Sequence, residues 1–289
     1  MKKIAITTDT NSGMLPHAYD AQDVFVLPMP FIIDGECLLE GVELSRDNFY
    51  EKLLSGSTVS TSQPSVGDLT DFWTELLKNY EEIVHIPTSS NLSAAFATAK
   101  AQSEDFNGKV HPVDNHRLSV SLKSSVMDAA RYRDEGKSAT EIVELLEKQG
   151  GDFAIYFSLE SMEYLKKGGR ISPAAATIGS ILKLRPVLYL SENGLTKYTV
   201  AKSMVKAKIA MKDAIKADLN GKFKEYADKG EMHLVCIYGN DVETAKAFEE
   251  EVKEAFPNLP FLYNDPMSLS IACHTGPGVV SVGLVRIAK

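Results

Sequence analysis

The sequence predicts a two-domain α/β fold, with an N-terminal domain over 1–150 built on a parallel sheet and a C-terminal domain over 151–289 built on a mixed one. Three observations predict it. The chain of 289 residues is too long for one ordinary small domain and suits two, each able to bury its own core. Its first half alternates short β-rich runs with amphipathic helical stretches, the order that sets parallel strands beneath crossover helices. In the second half Pro186–Leu190 and Leu195–Val200 flank Asn193-Gly194, a dipeptide that favours a tight antiparallel hairpin.

Taken in order, Lys3–Thr8, Val24–Leu27, Ile83–Ile86 and Lys109–Val113 read as the strands of the first sheet. Val66, Leu69, Phe72, Trp73, Leu76, Leu77 and Tyr80 recur at helical spacing, as do Leu118, Leu122, Val126 and Ala130, so each set predicts the buried face of a helix. Ser138-x-x-Glu141 reads as a capping box opening a helix through Leu146. Gly150-Gly151 closes that helix before the strand Phe153–Ser158 and marks the predicted domain boundary. Beyond the hairpin, helices are predicted at Ser203–Ile215 and Val242–Ala255, and strands at His233–Tyr238, Phe261–Tyr263 and Val279–Ile287.

Composition narrows the function classes. A hydrophobic fraction of 44%, 24% charged residues and a mean hydropathy of -0.12 fit a water-soluble globular chain with no stable membrane insertion. A formal net charge of -8 argues against nucleic acid or anionic membranes as partners, so any anion must be held by a local site. Between Met1-Lys2-Lys3 and Thr7-Thr8-Asp9 the apolar stretch is too short for a signal peptide. Cys37, Cys236 and Cys273 form no C-x-x-C, and a reducing cytoplasmic setting is expected.

Four polar loops carry the candidate chemistry. Thr7-Thr8-Asp9-Thr10-Asn11-Ser12 follows the first strand, where hydroxyls at the carboxyl end of a parallel sheet would face a ligand; turn and cap chemistry is the equal alternative. Ser60-Thr61-Ser62-Gln63-Pro64-Ser65 precedes the first amphipathic helix. Ser65 suits its N-cap, which leaves Thr61, Ser62 and Gln63 unexplained. Pro87-Thr88-Ser89-Ser90-Asn91-Leu92-Ser93 leads into the Ala-rich helix Ala94–Ala101, so Ser93 is either a plain cap or part of an anion site with the free N–H groups there. His274-Thr275-Gly276-Pro277-Gly278 precedes the closing strand, and its glycines let N–H groups line a concave anion site beside the imidazole. The competing reading of His274 is a hydrogen-bonded core histidine.

A further stretch, Tyr164 to Pro173, contains Arg170 beside two glycines, free to reach an anion, and Ser172-Pro173, a good N-cap and N1 pair. The small residues of 174–182 would let a helix or an alkyl chain approach closely. G-x-x-x-x-G-K-[ST], H-E-x-x-H and G-x-S-x-G are all missing, and Gly276-x-Gly278 precedes a strand where a dinucleotide fingerprint requires a helix. His111 and His116 flank Asp114, but Pro112 and the loop composition argue against a metal pair.

Thr61-Ser62-Gln63-Pro64-Ser65, Ser89-Ser90-Asn91-Leu92-Ser93, Tyr164-Leu165-x-x-Gly168-Gly169-Arg170-Ile171 and His274-x-Gly276-Pro277-Gly278 together resemble the signatures of the DegV family, in order and over essentially the whole chain. The resemblance implies two α/β domains with a long-chain fatty acid between them, no other cofactor and no catalysis by this chain alone. Similar members are the fatty-acid-binding subunit of a bacterial fatty acid kinase, whose other subunit resembles dihydroxyacetone kinase, supplies ATP and Mg²⁺ and forms acyl phosphate. By motif position Thr61, Ser62 and Ser93 would hold the carboxylate, with His274 and Arg170 beside it. Arg170, Arg185 and Lys202 would serve partner docking. Thr10, Ala94-Ala95, Arg185 and Lys202 depart from the residues usual in the family.

The physics of such a carrier is consistent. About fourteen methylenes at ~0.8 kcal/mol each give roughly 11 kcal/mol before entropic costs. Hydroxyl and imidazolium donors to the carboxylate add on the order of 1.5–3 kcal/mol each. The rival expectation is an acyl hydrolase or acyltransferase with Ser93 as nucleophile, His274 as base and Asp9 as the orienting group. A scaffold holding lipid as filler is a third class.

Overall fold

The computed structural model describes residues 2–171 and 184–288. The predicted Ser172-Pro173 cap and the small-residue helix over 174–182 lie outside the described residues. The chain forms two compact units, Met1–Gly151 with Ser268–Ser270, and Asp152–Met267 with Ile271–Lys289. A continuous second segment over 151–289 was expected; Ser268–Ser270 instead join the first unit.

The first unit contains β1 (Lys2–Asp9), β2 (Val24–Leu27), β3 (Pro30–Ile33), β4 (Glu36–Leu39), β5 (Val59–Thr61), β6 (Tyr80–Ile86) and β7 (Val110–Pro112). Its main sheet has the order β2-β1-β6-β7 and is parallel throughout, with Ile6 level with Val24 on one side and Val84 on the other. Because side chains alternate along a strand, Ile4 and Ile6 face the helices Ser119–Asp134 and Ala139–Lys148. Ala5 faces Trp73 and Ala99, on the helices Val66–Leu76 and Ala95–Ser103. Both faces are covered, as parallel sheets require.

The Ser138 capping box forms as the sequence predicts, with the hydroxyl accepting from Glu141 N and the Glu141 carboxylate accepting from Ser138 N. The Val66 helix stops at Leu76, short of the predicted face, because Leu77 is its C-cap and Tyr80 already opens β6. A second sheet, ordered β4-β3-β5, and the helix Arg46–Leu54 were not anticipated. The missed signal was Asp34-Gly35, both at positive φ (51° and 89°), which makes the two-residue turn between paired Ile33 and Glu36.

The second unit contains β8 (Phe153–Ser158), β9 (Arg185–Ser191), β10 (Gly194–Ala201), β11 (Met232–Tyr238), β12 (Phe261–Pro266) and β13 (Val280–Arg286). They form a mixed six-stranded sheet ordered β10-β9-β8-β13-β11-β12, antiparallel except where β11 meets β12. The predicted hairpin is present as β9–β10, with Ser191 paired to Gly194. Met211, on the helix Met204–Asn220, and Phe248, on the helix Val242–Ala255, are buried in one cluster with Leu234 and Val282 of the sheet. Among the described residues no helix is long and apolar enough to cross a membrane.

Candidate functional site

The loop after β1 turns its polar groups inward. Thr7 Oγ1 meets His85 Nδ1 at 2.9 Å, Thr8 Oγ1 donates to Ile86 O at 2.8 Å, and Ser12 Oγ donates to Asp9 O at 2.8 Å. Asp9 sits at the carboxyl end of β1 and accepts from Thr88 N (2.8 Å), the Thr88 hydroxyl and Asn11 N (3.0 Å). Burial raises the Asp9 carboxyl above its ordinary pKa, against the opposing pull of those bonds. Of the two readings of this loop, turn and cap chemistry describes these bonds, which stitch β1 to β6 and its following loop.

A small, partly open pocket has a lining that includes Asp9, Leu27, Gln63, Pro64, Pro87 and Thr98. The second loop contributes Gln63 and Pro64, the third contributes Pro87, and Ala95 and Thr98 come from the helix after Ser93. Gln63 Nε2 donates to Thr98 Oγ1 at 2.9 Å and ties the two loops' elements together. His85, also in the lining, is pushed down to about 3 by burial and is a neutral core imidazole against Trp73.

Ser65 is the N-cap that the sequence predicts, accepting from Asp68 N at 3.0 Å. Thr61 ends β5 opposite Phe31 and is half-buried, while Ser62 is exposed, its hydroxyl donating to Gln63 O at 3.0 Å. Ser93 Oγ accepts from Ala95 N at 3.1 Å, one residue ahead of the formal cap Ala94. Its loop is pinned by neighbours the sequence reading set aside: Ser90 Oγ meets His116 Nδ1 at 3.3 Å, and the same nitrogen lies 3.3 Å from Asp114. Both contacts use one ring nitrogen, whereas a catalytic relay needs both. No group of three candidate metal ligands occurs among the described residues.

Sequence reasoning missed Glu40. This buried carboxylate follows Leu38-Leu39, accepts from Leu269 N, Ser270 N and Thr10 Oγ1, and holds Ser268–Ser270 in the first unit together with the Ser268-to-Asn11 bond of 3.0 Å. Burial pushes its pKa up to about 7, opposed by the bonds from Leu269, Thr10 and Ser270 and by the charge of Arg46. A raised carboxyl pKa contributes stability that is complete below the ordinary value of 4.5 and is lost as pH rises through about 7. Glu40 should thus lower the unfolding free energy by on the order of 3 kcal/mol across that window. Denaturant unfolding from pH 4.5 to 8 should show Glu40→Gln lacking this part of the slope. Identical slopes in the two proteins would remove Glu40 as its source.

In the second unit His274 lies in the last turn of the helix Leu269–Thr275, not in a loop as expected. The helix ends after it because Gly276, at φ 72°, turns the chain. Burial, then the charge of Arg170, pushes the imidazole down to about 4, so it is neutral at pH 7. Arg170 is exposed and donates to Gly168 O. Arg185 Nη2 is 3.9 Å from Glu160 and only partly exposed, whereas Lys202 is exposed. The structure thus brings His274 and Arg170 together, and the second and third loops together.

A family model described as "Uncharacterised protein, DegV family" matches residues 3–286. A DegV domain-containing protein of Streptococcus pneumoniae is 28% identical over 99% of each chain. A DegV family protein of Thermus thermophilus, described by its fatty acid binding, superposes with a TM-score of 0.86 at 26% identity, covering 99% of this chain and 100% of its own. A Streptococcus agalactiae protein described as a fatty acid binding DegV family protein gives the same TM-score and identity over 100% of both chains.

Proposed function

The chain belongs to the DegV family, and from that membership we propose that it is a cytoplasmic carrier that encloses one long-chain fatty acid and presents the carboxylate to a separate ATP-dependent kinase for acyl-phosphate formation. The observation that carries this reading is the end-to-end likeness to proteins described as fatty-acid-binding, in a chain whose two hydroxyl loops border one pocket of the first unit. Thr61, Ser62 and Ser93 hold the carboxylate on this reading, with His274 as a neutral N–H donor and Arg170 as the cation. No cofactor beyond the lipid is needed. The tail supplies most of the affinity, and the polar groups offset the cost of desolvating the head.

The kinase subunit, resembling dihydroxyacetone kinase, docks on Arg170, Arg185 and Lys202, cationic positions on an acidic chain where rim charges govern encounter more than retention. The hydrolase reading is less well supported, because Asp9, its orienting group, is engaged by Thr88 and Asn11.

Mass spectrometry of an organic extract of the purified chain should find about one long-chain fatty acid per protein, and the chain alone with Mg-ATP should form no acyl phosphate. In the same preparation Lys202→Ala should keep its lipid and bind kinase more weakly. Lipid-free protein, or acyl phosphate made without the kinase, would refute the carrier reading; lipid loss with kinase affinity intact would strike Lys202 from the docking set.

A further inference from the structure

Two motifs of the second unit, distant in sequence, interlock at three places where a Cβ is missing. A Cβ on Gly168 would stand 2.0 Å from His274 Nδ1. One on Gly276 would stand 2.4 Å from the Tyr164 ring, and one on Gly278 would stand 2.4 Å from the Glu160 side chain. The pairs run in opposite directions, 160 with 278, 164 with 276 and 168 with 274. Tyr164 and Gly168 are four apart on the helix Glu163–Gly168 and so share one face, which is the face that meets Gly276 and His274. At the far end the lock is closed by Gly278 N, which donates to Asn240 Oδ1 at 3.0 Å.

We infer that Gly168, Gly276 and Gly278 are positioning residues, a steric lock that fixes the imidazole of His274 against the segment carrying Arg170. Gly276 and Gly278 also have positive φ (72° and 73°), so any side chain there is strained whatever the space. Gly168 is different. Its φ lies outside the left-handed region and it ends a helix, where backbone preference alone favours Ala over Gly. Glycine at 168 therefore answers to the ring that fills the place of its side chain. Gly169 supplies the contrast, since its φ is 67° and nothing lies within 4 Å of its Cβ position.

The functional weight of the lock rests on the role proposed for His274, but its test does not. Histidine NMR titration of the full chain, at matched lipid content, reads where the ring sits. In Gly168→Ala the ring leaves its slot, and His274 should titrate near 6.5 where the native ring is held down to about 4. Gly169→Ala, strained but clear of the ring, should titrate like the native chain. An unchanged His274 titration in folded Gly168→Ala would overturn the lock. If Gly168→Ala is insoluble, Gly168→Ala/His274→Ala should restore solubility by removing the obstructing ring, and an insoluble double variant would also overturn it. A displaced ring with unaltered kinase-dependent turnover would uphold the lock while refuting the carboxylate role of His274.

Discussion

On the carrier reading, truncating Thr61 or Ser93 to Ala should leave the fatty acid bound and lower kinase-dependent acyl-phosphate formation about a hundredfold. The asymmetry follows from two unequal contributions. A tail of about fourteen methylenes would contribute roughly 11 kcal/mol of gross driving force and one head-group hydrogen bond about 1.5–3 kcal/mol, so occupancy should survive the loss of either hydroxyl. Transfer is more demanding, because the carboxylate oxygen has to lie about 3–3.5 Å from the phosphorus, in line, and a 1 Å misplacement costs about a hundredfold. Loss of fold is a poor rival explanation for Ser93. Its hydroxyl caps only Ala95 N, and a lost cap costs about 1 kcal/mol, too little to unfold a domain of ordinary stability. Bound lipid per chain and turnover with kinase, measured on the same folded variants, decide the matter. If both fall in parallel, the head group anchors the ligand and the ranking of tail over head is wrong.

Much of the fold was legible because it is written in local pattern. Lys3–Thr8 and Ile83–Ile86 are short β-rich runs, and Ser138 with Glu141 is a reciprocal cap whose two partners lie three residues apart. The inserted sheet was legible in principle, through Asp34-Gly35, but its flanking runs are four residues long and were passed over. What the sequence could not show is where a polar side chain finds its partner once the chain is folded. Thr88 and Asp9 are 79 residues apart, and Glu40 meets the backbone at Leu269 across 229 residues. The hydroxyls after β1 read equally as ligand-facing or as turn and cap groups, because their partners on β6 are invisible in a linear reading. Gly168 was likewise noticed as freedom for Arg170, whereas the structure makes it room for His274.

That inward-facing loop sets up the sharpest stability test, Asp9→Ala, which should destabilise the first unit by roughly 3–5 kcal/mol. The carboxylate accepts from Thr88 N, from the Thr88 hydroxyl and from Asn11 N, all inside a region where these residues are buried. Each buried donor left unpaired costs about 1–3 kcal/mol, and the sum is comparable with the whole stability of a small domain. Asp9→Asn would recover only part of the loss, because its single acceptor oxygen faces either Thr88 N or Asn11 N while the amide N–H groups confront the other. The sign of the pH dependence is also fixed. With its pKa raised by burial, Asp9 favours the folded state most at pH below its ordinary value, and that contribution fades as pH rises through the folded value. Denaturant unfolding of both variants would measure these losses. The hydrolase reading expects the opposite pattern, a chain that cleaves activated esters and an Asp9→Ala variant that stays folded but loses that cleavage. Native-like stability of Asp9→Ala together with loss of a real esterase activity would make Asp9 the orienting group of a catalytic triad, and the carrier reading would fall with it.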